Sequence, residues 1–335
     1  MTTPRIAIDA MSGEMGPTEV VHGLAIGYKQ FKNYPDVTLV GDEKLLRELA
    51  EAAQLPMDRV QFVHTTEVIE MCEKPMQALK AKKNASLPVA IDLVKSGAAQ
   101  AALSCGNTGA LVAAGTLKLR PMEGVERPAL ATIMPTRKQH FVMLDAGANP
   151  LSEAQHMTHN AILGSHFARV ALEIENPRVG LLTIGTEEGK GTPLTQQTHE
   201  QLKSLGNLIN YQGFIEGFDV FESKVDVVVC DGFTGNILLK TCEGLFKHLK
   251  GYTSDEIKKS PIRMLGALLS QGAFKAMKKQ LSPERYAAAP LLGLKGDVFK
   301  THGSANRHAI ANAVRIAGEA VSHHMREHAL EDIQK

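Results

Sequence analysis

Five segments of this chain combine glycine with a lysine, an asparagine or a carboxylate, and each directly follows a short apolar run. They span residues 11–16, 105–109, 145–149, 185–191 and 231–236. Glycine lets the backbone approach an anion closely, and a helix that starts behind such a segment offers unpaired N–H groups with a favourable dipole. Several such segments in one chain predict a polar site for phosphate or another small anion.

The segment 185–191, Gly-Thr-Glu-Glu-Gly-Lys-Gly, approaches the P-loop pattern but does not match it. One residue is missing between its glycines, and no serine or threonine follows Lys190. Residues 11–16 do not match the dinucleotide pattern G-x-G-x-x-G either. We therefore expect a small phosphate and no cofactor. Lys190, with a glycine on each side, is either a compact cation for that phosphate or a solvated loop lysine.

The segment 231–236, Asp-Gly-Phe-Thr-Gly-Asn, is the most specific of the five. Its aspartate falls where an apolar run ends, and its two glycines permit a tight turn. We expect Thr234 or Asn236 to cap a helix that starts at residue 237, since both residue types are preferred caps. Asn236 has a second interpretation, in which its amide donates a hydrogen bond to a carbonyl or phosphate oxygen.

The apolar runs that precede these segments have the length of β-strands. They cover residues 5–9, 37–40, 101–104, 141–145, 179–184 and 225–230. Continuous apolar strands that alternate with helices predict an α/β fold of three layers, in which helices cover both faces of a mostly parallel sheet. Ligands of such sheets lie beyond the carboxyl ends of the strands, so all five segments are predicted to open on one edge.

Two further features belong to the body of this fold, which we treat as one domain over residues 1–335. Residues 129–134 and 141–145 are strand-like and close in sequence, so they predict an antiparallel hairpin inserted in the sheet. An amphipathic helix is expected at residues 306–328.

A projecting helical hairpin is predicted within residues 247–290. Its helical part, residues 247–281, is basic, and Gly266 and Gly272 interrupt the pattern. The apolar stripe comprises Ile262, Leu265, Leu268, Leu269, Phe274 and Met277, and the basic residues beside it are Lys258, Lys259, Arg263, Lys275, Lys278 and Lys279. A basic amphipathic segment is typical of peripheral membrane contact. The alternative is a helix pair buried in a dimer interface, and the positive face also suits an acidic carrier protein.

Composition narrows the function further. The chain has 335 residues, of which 44% are hydrophobic, and its formal net charge is +1. Without a basic block it is not expected to bind nucleic acid. The four cysteines have no C-x-x-C spacing and indicate free thiols in a reducing compartment. Since neither a signal peptide nor a membrane-spanning run is apparent, we expect a cytoplasmic protein.

His324 and His328 have the helical spacing of a metal-binding pair. No third ligand completes a site with them, so we interpret both as part of a solvated helix face and expect no metal.

Ten motifs of the chain resemble the fatty acyl-acyl carrier protein:phosphate acyltransferases, the PlsX family. They are Ile8-Asp-Ala-Met, Lys83-Asn-Ala-Ser, Cys105-Gly-Asn-Thr-Gly-Ala-Leu, Glu126-Arg-Pro-Ala-Leu, Leu144-Asp-Ala-Gly-Ala-Asn, Asn176-Pro-Arg-Val-Gly-Leu-Leu, Gly185-Thr-Glu-Glu, Asp231-Gly-Phe-Thr-Gly-Asn, Gly293-Leu-Lys-Gly and Lys300-Thr-His-Gly-Ser. The resemblance implies a homodimeric, Rossmann-like enzyme that makes acyl phosphate from acyl carrier protein thioesters and inorganic phosphate, at the start of bacterial phospholipid synthesis. It also implies that the enzyme acts at the inner face of the cell membrane, beside a membrane glycerol-3-phosphate acyltransferase.

The same resemblance assigns roles to single residues. It places the functional lysine and asparagine of the family at Lys190, which would hold phosphate, and Asn236, which would orient phosphate or the thioester carbonyl. His302 is a candidate acid or second anion contact, with a packed or capping histidine as the alternative. The other predicted phosphate-binding residues are Asp9, Gly106, Asn107, Thr108, Gly109, Asp145, Asn149, Gly185, Asp231, Gly232, Thr234 and Gly235.

Three departures from the family pattern concern details of the loops. The chain has Met11-Ser-Gly-Glu where the family usually has Met-Gly-Gly-Asp, and Tyr286-Ala-Ala-Ala-Pro where it often has Tyr-x-Gly-Ala. Cys105 stands where alanine is common, which argues against a catalytic thiol there.

Three other functions compete with this prediction. A phosphotransacetylase-like enzyme would use short acyl-CoA in place of the carrier protein. A dehydrogenase of the isopropylmalate type would need a carboxylate cluster for a metal and an arginine pair, and neither is evident in the sequence. A membrane-associated scaffold without catalysis would not need phosphate-binding loops.

Overall fold

The computed structural model describes residues 3–281 and 287–323. Its strands are β1 (Arg5–Asp9), β2 (Asp36–Gly41), β3 (Val60–His64), β4 (Ala101–Ser104), β5 (Ala129–Leu130), β6 (Thr132–Pro135), β7 (His140–Leu144), β8 (Arg178–Thr183), β9 (Asn210–Glu216), β10 (Val227–Val229), β11 (Ala289–Leu292) and β12 (Asp297–Lys300). Its helices are α1 (Gly16–Gln30), α2 (Glu43–Ala52), α3 (Pro75–Ala81), α4 (Ser86–Lys95), α5 (Thr108–Leu119), α6 (Ala154–Leu172), α7 (Pro193–Ser204), α8 (Gly232–Lys258), α9 (Pro261–Leu269), α10 (Gln271–Leu281) and α11 (Arg307–Ser322).

The strands form two sheets, where the sequence predicted one. The first has the order β3-β2-β1-β4-β12-β11-β5, and the second has the order β6-β7-β10-β8-β9. The neighbours from β3 to β12 in the first sheet and from β7 to β9 in the second are parallel, whereas β11, β5 and β6 pair antiparallel. The mostly parallel α/β architecture is therefore as predicted, and its division into two sheets is not.

One extended stretch of chain connects the two sheets. It supplies β5 to the first sheet, where Leu130 pairs with Leu291, and then β6 to the second, where Thr132 pairs with Met143. The predicted hairpin of residues 129–134 with 141–145 is present in its β6–β7 part. Because Ala131 separates two strands that belong to different sheets, this hairpin also fixes how the sheets join.

Helices cover the sheets on both faces. In one buried cluster, Leu24 of α1 and Val314 of α11 accompany Ile8 of β1. In the other, Ile91 of α4 and Leu111 of α5 accompany Ala102 of β4. Strands with apolar residues on both faces must be covered twice, so this layering follows directly from their composition.

The long helix α8 begins and ends at residues other than those predicted. It begins at Gly232 and not at residue 237, since Asp231 is its N-cap and Thr234 and Asn236 lie in its first turns. It then runs without interruption to Lys258, through the point where a separate hairpin was expected to start.

The projecting hairpin is made of the end of α8 together with α9 and α10. Its breaks fall at residues 259–260, before Pro261, and at Ser270, so Gly266 lies inside a helix and does not interrupt it. Proline at the first position of a helix and polar residues between helices account for these breaks better than the glycines do.

The C-terminal helix begins where the sequence predicted. Asn306 caps α11, which is described as far as Ser322, while His324, His328 and residue 286 lie outside the described residues.

Within the described ranges, no group of three or more His, Cys, Asp and Glu side chains is arranged to hold a metal ion. None of the helices in those ranges is both long and apolar enough to cross a membrane.

Candidate active site

Three neighbouring strands of the second sheet end side by side. The central strand β10 pairs in parallel with β7 on one side and with β8 on the other. The segments that follow, residues 145–149, 184–191 and 231–236, therefore lie along one edge. This topology places the segments of Lys190 and Asn236 next to each other, as the strand-end rule for α/β sheets requires.

Asp231 fixes the start of α8 by capping it. Its Oδ1 accepts hydrogen bonds from the backbone N–H groups of Phe233 at 3.0 Å and Thr234 at 2.9 Å, and its Oδ2 accepts one from the Thr234 hydroxyl at 2.6 Å. The polar atoms of Asp231 and Thr234 thus serve the cap. Asn236, by contrast, is exposed, and in the described part of the chain its amide forms no hydrogen bond.

Replacing Asp231 with alanine should lower the free energy of unfolding by about 1–2 kcal/mol, because two backbone donors lose their acceptor. It should also weaken catalysis by displacing Asn236. Asp42→Ala is the matched control, since Asp42 caps α2 through the backbone N–H of Leu45 at 3.2 Å. Urea unfolding and steady-state kinetics on both variants test this: equal losses of activity would show that the cap has no particular link to the site.

Asp145 organises the segment that follows β7. It is fully buried, and its carboxylate accepts hydrogen bonds of 2.7–3.2 Å from the backbone N–H groups of Leu130 and of residues 147–149. The Asn149 amide donates to Asp145 Oδ2 at 3.0 Å and to the Pro128 carbonyl at 2.7 Å. Both side chains are therefore used to shape the loop.

Glycines let α8 approach this loop closely. A Cβ on Gly235 would lie 2.0 Å from the Asp145 carbonyl oxygen, and one on Gly232 would overlap the backbone of the same loop at 2.5 Å. Gly147 has a φ of +130°, and a Cβ there would lie 3.2 Å from the Cβ of Asn236. Asn236 is thus held directly against the loop that Asp145 shapes.

The Lys190 segment lies on the other side of β10. Gly189 and Gly191 have φ values of +90° and +94°, the left-handed region that glycine adopts without strain. The stem of Lys190 packs beside Gly185, where a Cβ would lie 3.0 Å from the lysine Cγ. Lys190 is exposed, and its ammonium pairs with no carboxylate among the described residues. It is available to an anion in solution.

The remaining predicted residues lie on the edge of the first sheet. Asp9, at the end of β1, accepts a hydrogen bond from the Ser104 hydroxyl at 2.6 Å, and that oxygen accepts the Gly106 N–H at 3.0 Å. Both carboxylate and hydroxyl are buried. The five glycine segments therefore occupy two sheet edges, not one, because their strands belong to two sheets.

Asn107 caps α5 and was predicted to bind the anion. Its Oδ1 accepts the backbone N–H of Ala110 at 3.0 Å, and its amide donates to the carbonyls of Met71 at 2.9 Å and Glu73 at 3.1 Å. Its side chain is therefore occupied in joining this helix to the loop before α3. Thr108 and Gly109 form the first turn of α5, and a Cβ on Gly109 would lie 2.6 Å from the ring of Pro75.

His302 lies where the two sheet edges meet. Its Nε2 is 3.0 Å from the Nζ of Lys240 on α8, and its Nδ1 accepts the backbone N–H of Ser304 at 3.2 Å. Burial, followed by the charge of Lys240, lowers the pKa of His302 below its ordinary value. The imidazole is therefore neutral at physiological pH.

Sequence reasoning missed Lys240 and Lys300. Lys240 follows Asn236 by four residues, so it lies on the same face of α8, a spacing that could have indicated it. Lys300 ends the apolar strand β12, and a lysine at the carboxyl end of an otherwise buried strand is a comparable signal.

Comparison with known proteins decides the family. The family described as "Fatty acid synthesis protein" matches residues 4–328. A phosphate acyltransferase of Desulfitobacterium hafniense is 43% identical over 318 residues, which cover 95% of this chain and 94% of that protein. A phosphate acyltransferase of Elusimicrobium minutum is 44% identical over 318 residues, covering 95% and 92%.

The chain belongs to this phosphate acyltransferase family. The predicted function, an acyltransferase of lipid synthesis that uses phosphate, is therefore confirmed. Among solved structures, a phosphotransacetylase from Streptococcus pyogenes aligns with a TM-score of 0.64 at 17% identity, covering 96% of this chain and 94% of that one. This likeness confirms the fold.

In this phosphate acyltransferase, Cys105 is poorly suited to be a nucleophile. It is buried beside the site, and burial raises the pKa of its thiol to about 12. Since the thiolate is the reactive form, the thiol stays unreactive at neutral pH. This agrees with the expectation, drawn from the sequence, that Cys105 is not a catalytic thiol.

Proposed function

We propose that this acyltransferase moves a fatty acyl group from acyl carrier protein to inorganic phosphate, with Lys190 and Asn236 holding the reacting groups. One observation carries the assignment of residues: two neighbouring strand ends present an ammonium and an amide that have no partner among the described residues, beside the loop that Asp145 shapes. Ammonium and amide are donors suited to a phosphate dianion and to a carbonyl oxygen, respectively.

The reaction needs positioning more than acid–base help. A phosphate oxygen attacks the thioester carbonyl, a C–O bond forms, and the oxygen of the tetrahedral intermediate takes the negative charge. The C–S bond then breaks and the thiolate leaves, which is feasible because a thiol has a pKa of about 8.5. Holding the reactants together supplies on the order of 7–11 kcal/mol, and one donor to the oxyanion supplies about 3 kcal/mol.

The decisive experiment measures thiol release from acyl carrier protein thioester with and without phosphate. We expect release to depend on phosphate and acyl phosphate to form in equal amount. Release that proceeds equally well without phosphate would overturn the proposal. Acyl-CoA offered beside the carrier-protein thioester separates this function from that of a phosphotransacetylase, the class whose fold the chain shares.

We further propose that the protein works as a homodimer on the cytoplasmic membrane surface, beside a membrane glycerol-3-phosphate acyltransferase that would use its product. Helix α9 has no buried residue, and its leucines and isoleucine are largely exposed: Ile262 82%, Leu265 57%, Leu268 65% and Leu269 81%. Exposed apolar surface of this extent marks a contact surface. Lys258, Lys259 and Arg263 add positive charge beside these side chains, which favours an anionic lipid surface. Glu256 pairs with Lys259 and with Arg263.

A second apolar stripe supports the dimer. Leu245, Leu249 and Tyr252 lie on one face of α8 and are 60%, 56% and 70% exposed. An exposed apolar face of this kind suits a second copy of the chain.

Replacing Leu268 and Leu269 with glutamate should abolish binding to vesicles that contain anionic lipid and leave the dimer intact. Two charges in the apolar face remove the hydrophobic contribution and repel the lipid headgroups. Vesicle flotation and light scattering measure the two properties. Leu245→Glu with Leu249→Glu is the matched comparison and should dissociate the dimer. If the α9 variant dissociates instead, α9 belongs to the dimer interface.

A further inference from the structure

A lysine and a histidine face each other between the sheet edges. The Nε2 of His302 is 3.0 Å from the Lys240 ammonium, and its Nδ1 lies 3.2 Å from the backbone nitrogen of Ser304 and 2.8 Å from the Ser304 hydroxyl. Lys240 also donates to Glu243 Oε2 at 3.0 Å. An ammonium has three donors, so an anion beside the pair could accept a hydrogen bond from Lys240 without breaking either contact.

A buried lysine lies in the same region. Lys300 is 7% exposed, and its Nζ donates to the carbonyl of Cys105 at 3.3 Å and to that of Thr301. No described carboxylate is within ion-pair distance of it. Burial, opposed in part by nearby carboxylates, lowers its pKa to about 8. A lysine without a counter-ion is costly to bury, and an anion bound beside it would lower that cost.

The polar groups around Lys300 include two hydroxyls with unused hydrogen-bonding capacity. Ser12 Oγ and Thr301 Oγ1 are buried in the loops that follow β1 and β12, and neither has a hydrogen-bond partner among the described residues. The nearby carboxylates are engaged: Glu243 accepts from Lys240 at 3.0 Å, and Asp9 accepts from Ser104. The unpartnered groups are hydroxyls, each of which can donate one hydrogen bond to an anion.

We propose that Lys240, Lys300 and His302 form a phosphoryl-binding position, adjoining Asn236, that binds one of the two phosphoryl groups of the reaction. Lys240 is one turn of α8 from Asn236, a rise of about 6 Å, so the position is within reach of the same substrates. The inference rests on the proposed function. A phosphoryl group there is either the attacking phosphate or the phosphodiester of the pantetheine arm that carries the thioester.

Kinetics of Lys240→Met and Lys300→Met distinguish the two sources. If the position binds the nucleophile, the KM for inorganic phosphate should rise at least about tenfold with every thioester. If it binds the arm, the KM for acyl carrier protein should rise by a similar factor, while that for acyl-pantetheine, which has no phosphodiester, should not. Lys250→Met, on the same helix and exposed, is the control and should behave as wild type.

Binding without turnover provides an independent readout. Inorganic phosphate or 4′-phosphopantetheine should raise the thermal midpoint of the wild type, and this rise should disappear in both variants. Lys300→Met should also melt higher than wild type in phosphate-free buffer, because it removes a buried charge. Unchanged KM values together with undiminished midpoint shifts in both variants would overturn the proposal. Absence of phosphate-dependent thiol release in the wild type would instead reject the proposed function.

Discussion

Lys190→Ala and Asn236→Ala should each reduce kcat/KM for phosphate-dependent thiol release by about 10²–10³, without loss of stability. A preorganised donor to a developing oxyanion is worth about 3–4 kcal/mol, and a lysine that neutralises phosphate contributes to the same transition state. Both side chains are exposed, so their removal leaves no cavity and no unpaired buried group.

The form of the kinetic loss separates the two roles. Lys190→Ala should raise the KM for phosphate, whereas Asn236→Ala should lower kcat if its amide meets the oxyanion only in the transition state. Lys203→Ala is the control, because Lys203 is an exposed lysine on α7 whose ion pairs with Glu188 and Glu200 face solvent. Wild-type kinetics in both site variants would mean that these strand ends do not form the active site.

Gly235→Ala should destabilise the protein by about 3 kcal/mol or more and abolish most activity. The added methyl group would lie 2.0 Å from the Asp145 carbonyl oxygen and 2.9 Å from the Cys230 Sγ. Backbone cannot yield as a side-chain tip can, so the start of α8 must move and take Asn236 with it. The loop cannot retreat cheaply either, because the Asp145 carboxylate ties it down.

Gly244→Ala supplies the matched comparison within the same helix. A Cβ at Gly244 meets nothing within 4 Å, so alanine there should raise the free energy of unfolding by up to about 1 kcal/mol through helix propensity. Chemical denaturation of the two variants, with activity measured on the folded fraction, tests the argument. Equal stability of the two would show that close contact at Gly235 is not required.

The lysine at position 300 adds a pH dependence whose sign can be worked out. Its pKa of about 8 in the folded protein lies below the value of a free lysine, so the folded state loses this proton first as the pH rises. The unfavourable buried charge is present below pH about 8 and is relieved above it. Stability should therefore increase from about pH 8 up to the pKa of an unfolded lysine, about 10.4. Binding of phosphate should weaken over the same range, because the proposed binding position loses a cation.

Most strands were predictable because an apolar run is a local property of the chain, but β3, β9, β11 and β12 were not among the predicted runs. The run 5–9 became β1 and the run 101–104 became β4 with the same bounds, and the others shifted by a residue or two. An apolar run of strand length can be recognised in the sequence without knowing which strands it pairs with. Which strands pair is not local, so the division into two sheets, made at Ala131, was not foreseen.

Helix caps show the same limit at the scale of one side chain. Asp231, Thr234 and Asn236 are all good caps by residue type, and the prediction that Thr234 or Asn236 is the cap was wrong. The backbone conformation at the end of β10 selected Asp231 and thereby released Asn236 for the site. Asn107 had the opposite outcome, since the approach of the loop before α3 engaged its amide.

The sequence by itself determined the α/β class, the strand-end position of the glycine segments and, through its motifs, the acyltransferase family. These depend on local periodicity, on backbone freedom at glycine and on residue order, all of which can be read from the sequence without knowing the tertiary contacts. Tertiary structure alone decided which polar groups are used internally and which are left free. Lys240 and His302 are 62 residues apart in sequence and 3.0 Å apart in space, a contact that arises only when the two sheet edges are brought together.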